Sequence, residues 1–330
     1  MKVIITIDTE ADNQWERLGD LTTANIDYLP RFQELCNRYA LKTTYLCSYE
    51  VVASPQFDKV IAAYEHQGMA EVGAHLHPWS NPPYEDDPFT GTGKHAYPSE
   101  LPVGIFRRKM EALTEIIHSR IGRPPRSYRA GRWGFCASHI PVLLDLGYEA
   151  DCSVTPLVSW RGHPGAKEGG PDFRGAPAAP YFLDIADVCR RGDSRLLEVP
   201  VTILHTSRAM ASTTLRSIFA ARRKGFPCKV LNKIFKLDPQ WFRPYPHMSA
   251  GRLKDVYRAA RKRGLPVVEM MFHSSELMPG GSPYTPTEES VEQLYEKLES
   301  IFDYVSQAGC TGTTLTEFKD EFCREKVIGR

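Results

Sequence analysis

Two histidines one residue apart, His75 and His77 in EVGAHLHPW, and two acids at the same spacing, Asp8 and Glu10 in TIDTE, are the residues best placed to do chemistry. In an extended strand, residues two apart share a face. Each pair can therefore aim both of its side chains into one site. Two neutral imidazoles and a carboxylate, with one position left open, are the donor set of a hydrolytic zinc centre, and a second carboxylate can then act as base. His75 and His77 are thus candidate ligands, and Asp8 and Glu10 supply between them a candidate third ligand and a candidate base. The plainer reading makes the acids turn caps at a strand end, but a carboxylate pair closing an apolar run is costly unless it is used.

Five further positions bear on the same chemistry. His273 follows the apolar run PVVEMMF and precedes Ser274, Ser275 and Glu276. It is a candidate general acid, because imidazole titrates near neutral pH; otherwise it is a satisfied core histidine. Arg129 in YRAGRWGF can hold a carboxylate ionised, or form an ordinary surface pair. Asp151 can orient the imidazole of His273 or cap its own strand. Trp79 and Trp133 are candidate sugar-stacking surfaces, Trp133 being equally suited to the core.

The elements that must position these residues alternate along the chain. Short, β-branched apolar runs predict strands over 3–9, 43–49, 71–77, 127–131, 149–154, 196–202 and 266–273. Helical patterns fall at 23–39, 54–68, 104–121, 137–146, 249–263 and 287–307. This repetition predicts a parallel α/β barrel of about seven or eight strands in one domain covering 1–330. Asp8, His75, His77, Arg129, Asp151 and His273 all fall at or near C-terminal strand ends, where barrel enzymes carry their sites. Long loops at 78–103, 155–195 and 206–247 leave the same ends and are predicted to wall a substrate groove.

Bulk properties narrow the function classes. The 330 residues, 42% of them hydrophobic, can bury a large core, and a net charge of +1 argues against a nucleic-acid binder driven by overall charge. The first apolar run is broken at once by Asp8, Glu10 and Asp12, so no signal peptide is expected, and no stretch is long enough to cross a membrane. Eight cysteines without a CxxC pair read as mostly reduced thiols of a cytoplasmic protein. The segment 206–236 holds eight basic residues and no acidic one. It is either a solvated amphipathic helix pair or a patch for a phosphate-bearing substrate or an anionic membrane surface.

The order TIDTE, EVGAHLHPW, YRAGRWGF, ADCSVTP, LEVPV, MMFH resembles the polysaccharide deacetylases, the NodB-type carbohydrate esterases of family four, and within them the WalW-like subgroup found with surface-polysaccharide genes. The resemblance runs from Met1 to about Thr316. It implies a distorted (β/α)7 barrel and metal-dependent removal of an N- or O-acyl group, usually acetyl from an amino sugar. Asp8 matches the family's base, and Glu10 the acid that binds metal in relatives with a D-x-E form, while Thr9 occupies the usual ligand position. His75 matches the first histidine of the second motif. His77-Pro78 resembles the second His-Pro but comes two residues early, with Trp79 where that histidine would stand. Arg129 matches the arginine that pairs with the base, and Asp151 and His273 resemble the later aspartate and the acid histidine. The resulting expectation is a zinc-dependent deacylase of an amino sugar or surface-polysaccharide precursor. The alternatives are a silent glycan-binding barrel and a hydrolase of a non-sugar amide.

Overall fold

A computed structural model describes residues 1–12, 14, 21–206 and 238–328. The basic segment 206–236 therefore lies, but for Thr206, outside the described residues. Among the described residues eleven strands follow one another: β1 Lys2–Thr9, β2 Thr43–Cys47, β3 Ala70–Leu76, β4 Ser127–Ala130, β5 Ala150–Asp151, β6 Tyr181–Phe182, β7 Leu197–Glu198, β8 Ile203–Leu204, β9 Gln240–Trp241, β10 Val267–His273 and β11 Thr311–Gly312. Seven of them form a curled parallel sheet in the order β10-β1-β2-β3-β4-β5-β7. The short β6 lies antiparallel on β7, and β11 pairs with the start of β1. The longer helices are α1 Leu29–Arg38, α2 Val103–Ile121, α3 His139–Asp145, α4 Ala250–Lys262, α5 Glu288–Gln307 and α6 Leu315–Ile328. The architecture is a distorted (β/α)7 barrel, as the sequence predicts.

The gap between β7 and β10 is bridged by a side chain and one long backbone bond. The Glu269 N–H donates to the Thr202 hydroxyl at 2.8 Å, and the Thr202 N–H donates to the Glu269 carbonyl at 3.3 Å. Strand period sorts β1 into two faces. Val3, Ile5 and Ile7 pack outward into the main core with Phe32 and Leu35 of α1 and Leu298 and Phe302 of α5. Ile4, Thr6 and Asp8 face the interior. That interior changes character along its axis. Its floor is apolar, built from Ile4, Leu46, Cys152, Leu197 and Val267 with Leu315 and Phe318 of α6. One step up are Thr6, Arg129 and Glu269; at the mouth are Asp8, His75 and His273. The alternation that makes a strand thus also carries the chain from hydrophobic plug to polar site.

Local chemistry explains where elements are shorter than predicted. The predicted strand 149–154 is two residues long, because the Ser153 N–H donates to the Asp151 carboxylate at 2.9 Å rather than to a ladder. The predicted strand 196–202 is likewise cut to Leu197–Glu198, with Pro200, which has no N–H to donate, just beyond. The helix predicted at 54–68 starts earlier, at Tyr49, and breaks at Ser54, whose extended backbone (ψ 150°) precedes Pro55.

One surface network ties the last helix to the barrel floor. Arg126 donates to Glu149 at 3.0 and 2.7 Å and to Asp320 of α6 at 3.0 Å, and Lys319 also reaches Glu149. The Arg126 hydrogen bonds, with help from Lys319 and against partial burial, hold the Glu149 carboxyl down at about 2. A depressed carboxyl stabilises the fold above its unfolded value and loses that contribution as pH falls through the folded one. Because the group is part-exposed, solvent screening leaves about 1 kcal/mol. In denaturant titrations, Glu149→Gln should cost that amount at pH 6, and the gap to the unsubstituted protein should close progressively below the ordinary value of 4.5. A gap unchanged down to pH 3 would mean that the network does not titrate this way.

Candidate metal and active site

Asp8 ends the interior face of β1, and Glu10 lies just past that strand; His75 is on β3 and His77 just beyond it. The parallel pairing of β1 through β2 to β3 brings these ends side by side. Carboxylate and imidazole atoms of Glu10, His75 and His77 all lie within 4.8 Å of one another. His77 Nε2 is 2.6 Å from Glu10 Oε2 and 3.1 Å from His75 Nε2, and all three side chains are buried. His75 Nδ1 is 3.0 Å from the Arg129 carbonyl, which can only accept. That contact places the proton on Nδ1 and leaves the Nε2 lone pair facing the other two donors. Three convergent N and O donors, one imidazole already fixed by its outer partner, fit a divalent cation. Gly131 is required beside them, since a Cβ there would sit 2.4 Å from His77 Nδ1 and 2.5 Å from the Leu76 carbonyl.

Asp8 is held from below. Arg129, with no exposed surface, donates from Nη1 to Asp8 Oδ1 at 2.5 Å, from Nη2 to Thr6 and Glu269 at 2.7 Å each, and from Nε to the Cys152 carbonyl at 3.0 Å. Burial pushes the Asp8 pKa up, but Arg129, then His75 and His273, outweigh it and leave the group below its ordinary value. The same competition, burial against the imidazoles, leaves Glu10 well below the usual carboxyl range. Burial opposes and Asp8 and Glu10 favour the charged form of His75, which ends raised; for His77 burial wins and its pKa is lowered.

His273, the last residue of β10, sits opposite. Its Nε2 lies 3.9 Å from Asp8 Oδ2 and 3.8 Å from Glu10 Oε1, beyond direct hydrogen bonding. The ring edge thus faces both carboxylates at the mouth of the barrel. Its Nδ1 is 3.0 Å from Glu276 Oε1, and Arg243 Nη2 approaches both, at 3.1 Å to the ring and 2.7 Å to Glu276. The expected orienting residue, Asp151, stands elsewhere. Its carboxylate accepts from the Ser153 N–H and hydroxyl at 2.9 Å each and neighbours Glu198, and burial raises the pKa of both acids. Asp151 is not among the residues lining the cleft; the ring contact comes from Glu276 instead.

These groups open into a cleft of about 280 Å³. Described residues of all three predicted loop segments contribute to its walls: Trp79 and Tyr97 from the first, Trp160 and His163 from the second, Arg243 and Tyr245 from the third, with Arg132, Trp133 and Tyr284 from elsewhere. Trp79 packs 4.4 Å from the His77 ring, and its indole N–H donates to Gln14 at 2.7 Å. Trp133 lies nearly parallel to Trp160, at 6.2 Å and 18°, and both rings approach Trp241. Trp133 is nevertheless largely buried, with 9% of its surface exposed. Sequence reasoning assigns no role to Arg243, Glu276, Glu269 or Trp160. The abrupt polar switch after Phe272 is a signal for Glu276; nothing in pattern or spacing points to Arg243.

No protein-family model matches the sequence, and a search of curated proteins returns no match. Solved structures do. A protein from Mycobacterium smegmatis assigned as a polysaccharide deacetylase superposes with a TM-score of 0.56 at 14% identity, over 98% of this chain and 91% of the other. One from Parabacteroides distasonis, assigned as a glycoside hydrolase/deacetylase, gives a TM-score of 0.62 at 12% identity, over 98% and 71%. An allantoinase gives 0.52 at 12% identity, over 97% and 88%. The chain therefore has the polysaccharide deacetylase fold, in agreement with the resemblance carried by its motifs. That fold also serves an allantoinase, so the reaction has to be argued from the site.

Proposed function

We propose that the protein is a metal-dependent deacylase that removes an N-acyl group, acetyl in the simplest case, from an amino sugar or surface-polysaccharide precursor. The observation that carries this reading is the Glu10–His75–His77 donor cluster with Asp8 and His273 facing one another beside it. Glu10, His75 and His77 would hold the cation, which when bound supplies electrophilic polarisation of the acyl carbonyl. Asp8, kept ionised by Arg129, accepts the proton of the attacking water. His273, with Nδ1 fixed on Glu276, carries its other nitrogen toward the space between the acids and delivers a proton to the departing amine. The balance is hydrolytic: the C–N bond breaks, a C–O bond forms, and acid and amine leave. Trp79, Trp133 and Trp160 give the cleft the flat apolar faces that a sugar ring stacks against, which favours a carbohydrate amide. A hydrolase of a non-sugar amide is the second reading, supported by the fold shared with an allantoinase.

The test is metal analysis of protein purified without chelator, combined with acetate release from a panel of N-acetylated amino sugars and non-sugar amides. One divalent metal per chain is expected, with His75→Ala abolishing stoichiometric binding and Glu10→Ala weakening it. Protein that takes up no metal under replete conditions would end this reading. Metal retained in full by Glu10→Ala would move the carboxylate ligand to Asp8 or Asp12. Sugar binding without acyl release would favour a silent barrel, and release from non-sugar amides alone would favour the second reading.

A further inference from the structure

The cleft wall contains a cation whose charge no carboxylate matches among the described residues. Arg129 and Arg243, the other arginines at the site, are each paired, with Asp8 and with Glu276. Arg132 lines the cleft and, among the described residues, pairs with no carboxylate. Its guanidinium lies 4.2 Å over the Tyr97 ring and donates only to neutral oxygens: the His95 carbonyl, the Pro164 carbonyl at 2.8 Å and, at 3.4 Å, the Tyr97 hydroxyl. A guanidinium has five N–H donors, so the Nε–H and one Nη1–H remain uncommitted to these partners. Nearby, Lys94 likewise rests on a carbonyl, that of Ala166, at 3.2 Å. Glu100, an acid of this region, is taken up by four backbone N–H groups, those of Tyr97, Ala166, Lys167 and Glu168.

The backbone at Arg132 gives a second, independent observation. Arg132 has φ 54° and ψ 24°, and Trp133 follows with φ 63°. Two consecutive non-glycine residues in the left-handed region are strained, and such strain persists at ligand clamps. It is local here: Gly131 abuts His77, so the strained pair starts beside the candidate metal ligands and turns Arg132 and Trp133 onto one wall.

We propose that the cleft takes an acidic sugar, its ring against Trp133 and Trp160 and its carboxylate or phosphate on the guanidinium of Arg132. This rests on the reading of the cleft as a carbohydrate site and narrows the substrate to an anionic one. The planar fork of arginine suits both groups, because each offers two oxygens at matching spacing. A charge-assisted contact of this kind is worth roughly tenfold or more in affinity.

The experiment is equilibrium binding by tryptophan fluorescence to the full chain, with three probes: N-acetylglucosamine, its 6-phosphate, and N-acetylglucosaminuronic acid. At least one acidic probe should bind about tenfold tighter than the neutral sugar at low salt, with the advantage shrinking as salt rises. The tighter of the two acidic probes identifies the group as phosphate or carboxylate. Arg132→Gln should bring it to the level of the neutral sugar, and Arg132→Lys should keep part of the preference. The lysine variant decides the matter if the glutamine variant loses its fold by circular dichroism. Equal binding of all three probes, no binding of either acidic probe at millimolar concentration, or a preference that survives Arg132→Gln would each overturn the proposal. The last outcome would assign the charge effect to another basic segment, such as 206–236. Acidic preference lost with Arg132 but no acyl release from any probe would leave this inference standing and remove the deacylase reading. Acyl release without acidic preference would do the reverse.

Discussion

Asp8→Asn is expected to lower kcat for acyl release by about 10²–10⁴-fold while leaving the metal content nearly intact. The substitution keeps the side-chain shape and can still accept from Arg129, but the amide cannot take a proton from water. Metal content should hold because Asp8 stands outside the Glu10–His75–His77 cluster. His273→Ala should cost a similar factor on an amide, for the opposite reason: it removes the donor to a poor leaving group. An activated ester separates the two roles, since its leaving group departs without a proton. Asp8→Asn should therefore remain defective on the ester, whereas His273→Ala should regain most of its rate. Equal losses for His273→Ala on both substrates would remove it as the acid. A fully active Asp8→Asn protein would take Asp8 out of the mechanism.

The largest stability effect is expected at Arg129. Its side chain is wholly buried, and its partners Asp8 and Glu269 are almost as deeply enclosed. Arg129→Met is close in length and apolar, yet it strands two carboxyls that have no solvent to turn to. Breaking a buried pair by removing one partner typically costs about 3–5 kcal/mol, because the remaining charge is uncompensated. Part of that cost is avoidable: burial already pushes the Glu269 pKa up against the pull of Arg129, so Glu269 can take a proton when the arginine is lost. Arg129→Lys restores a charge but not the fork that reaches Asp8, Thr6, Glu269 and the Cys152 carbonyl together, and should fall between. Urea unfolding at neutral pH measures both variants. A loss under about 1 kcal/mol for Arg129→Met would mean that these buried pairs contribute no more than surface ones do.

The residues legible in the sequence share one property: they sit on strands whose period is visible. TIDTE and EVGAHLH announce a face every second residue, and that period alone aims Asp8, His75 and His77 at one site. Arg129 and His273 follow from the same logic, as each stands at or near the end of a predicted strand. The missing parts come from elements with no period. Arg243 follows a sequence segment with many basic residues, and only the folded chain shows that its guanidinium meets Glu276 at 2.7 Å. Glu269 reads as an oddity inside PVVEMMF until Arg129 is seen crossing the barrel to meet it. Asp151 shows the limit from the other side. Its strand-end position is the right kind, but β5 is two residues long, and the carboxylate turns to Ser153. Strand position reports which end of a barrel a residue occupies; it does not report which neighbour its side chain will choose.

Lys109 of α2 is fully buried, and its ammonium gathers the carbonyls of Pro78, Asn81 and Pro83 at 3.0, 2.6 and 2.8 Å together with the Asp87 carboxylate at 3.0 Å. One cation thus fastens the stretch immediately after His77 to a helix on the outside of the barrel. Homologous chains of different length would have no room to gain or lose a residue between 78 and 87 without undoing that knot. Beyond Asp87 the constraint ends, and the exposed turn through Gly91 and Gly93 is where this loop can lengthen, so new reach toward larger substrates would be acquired there while the histidine pair stays where it is.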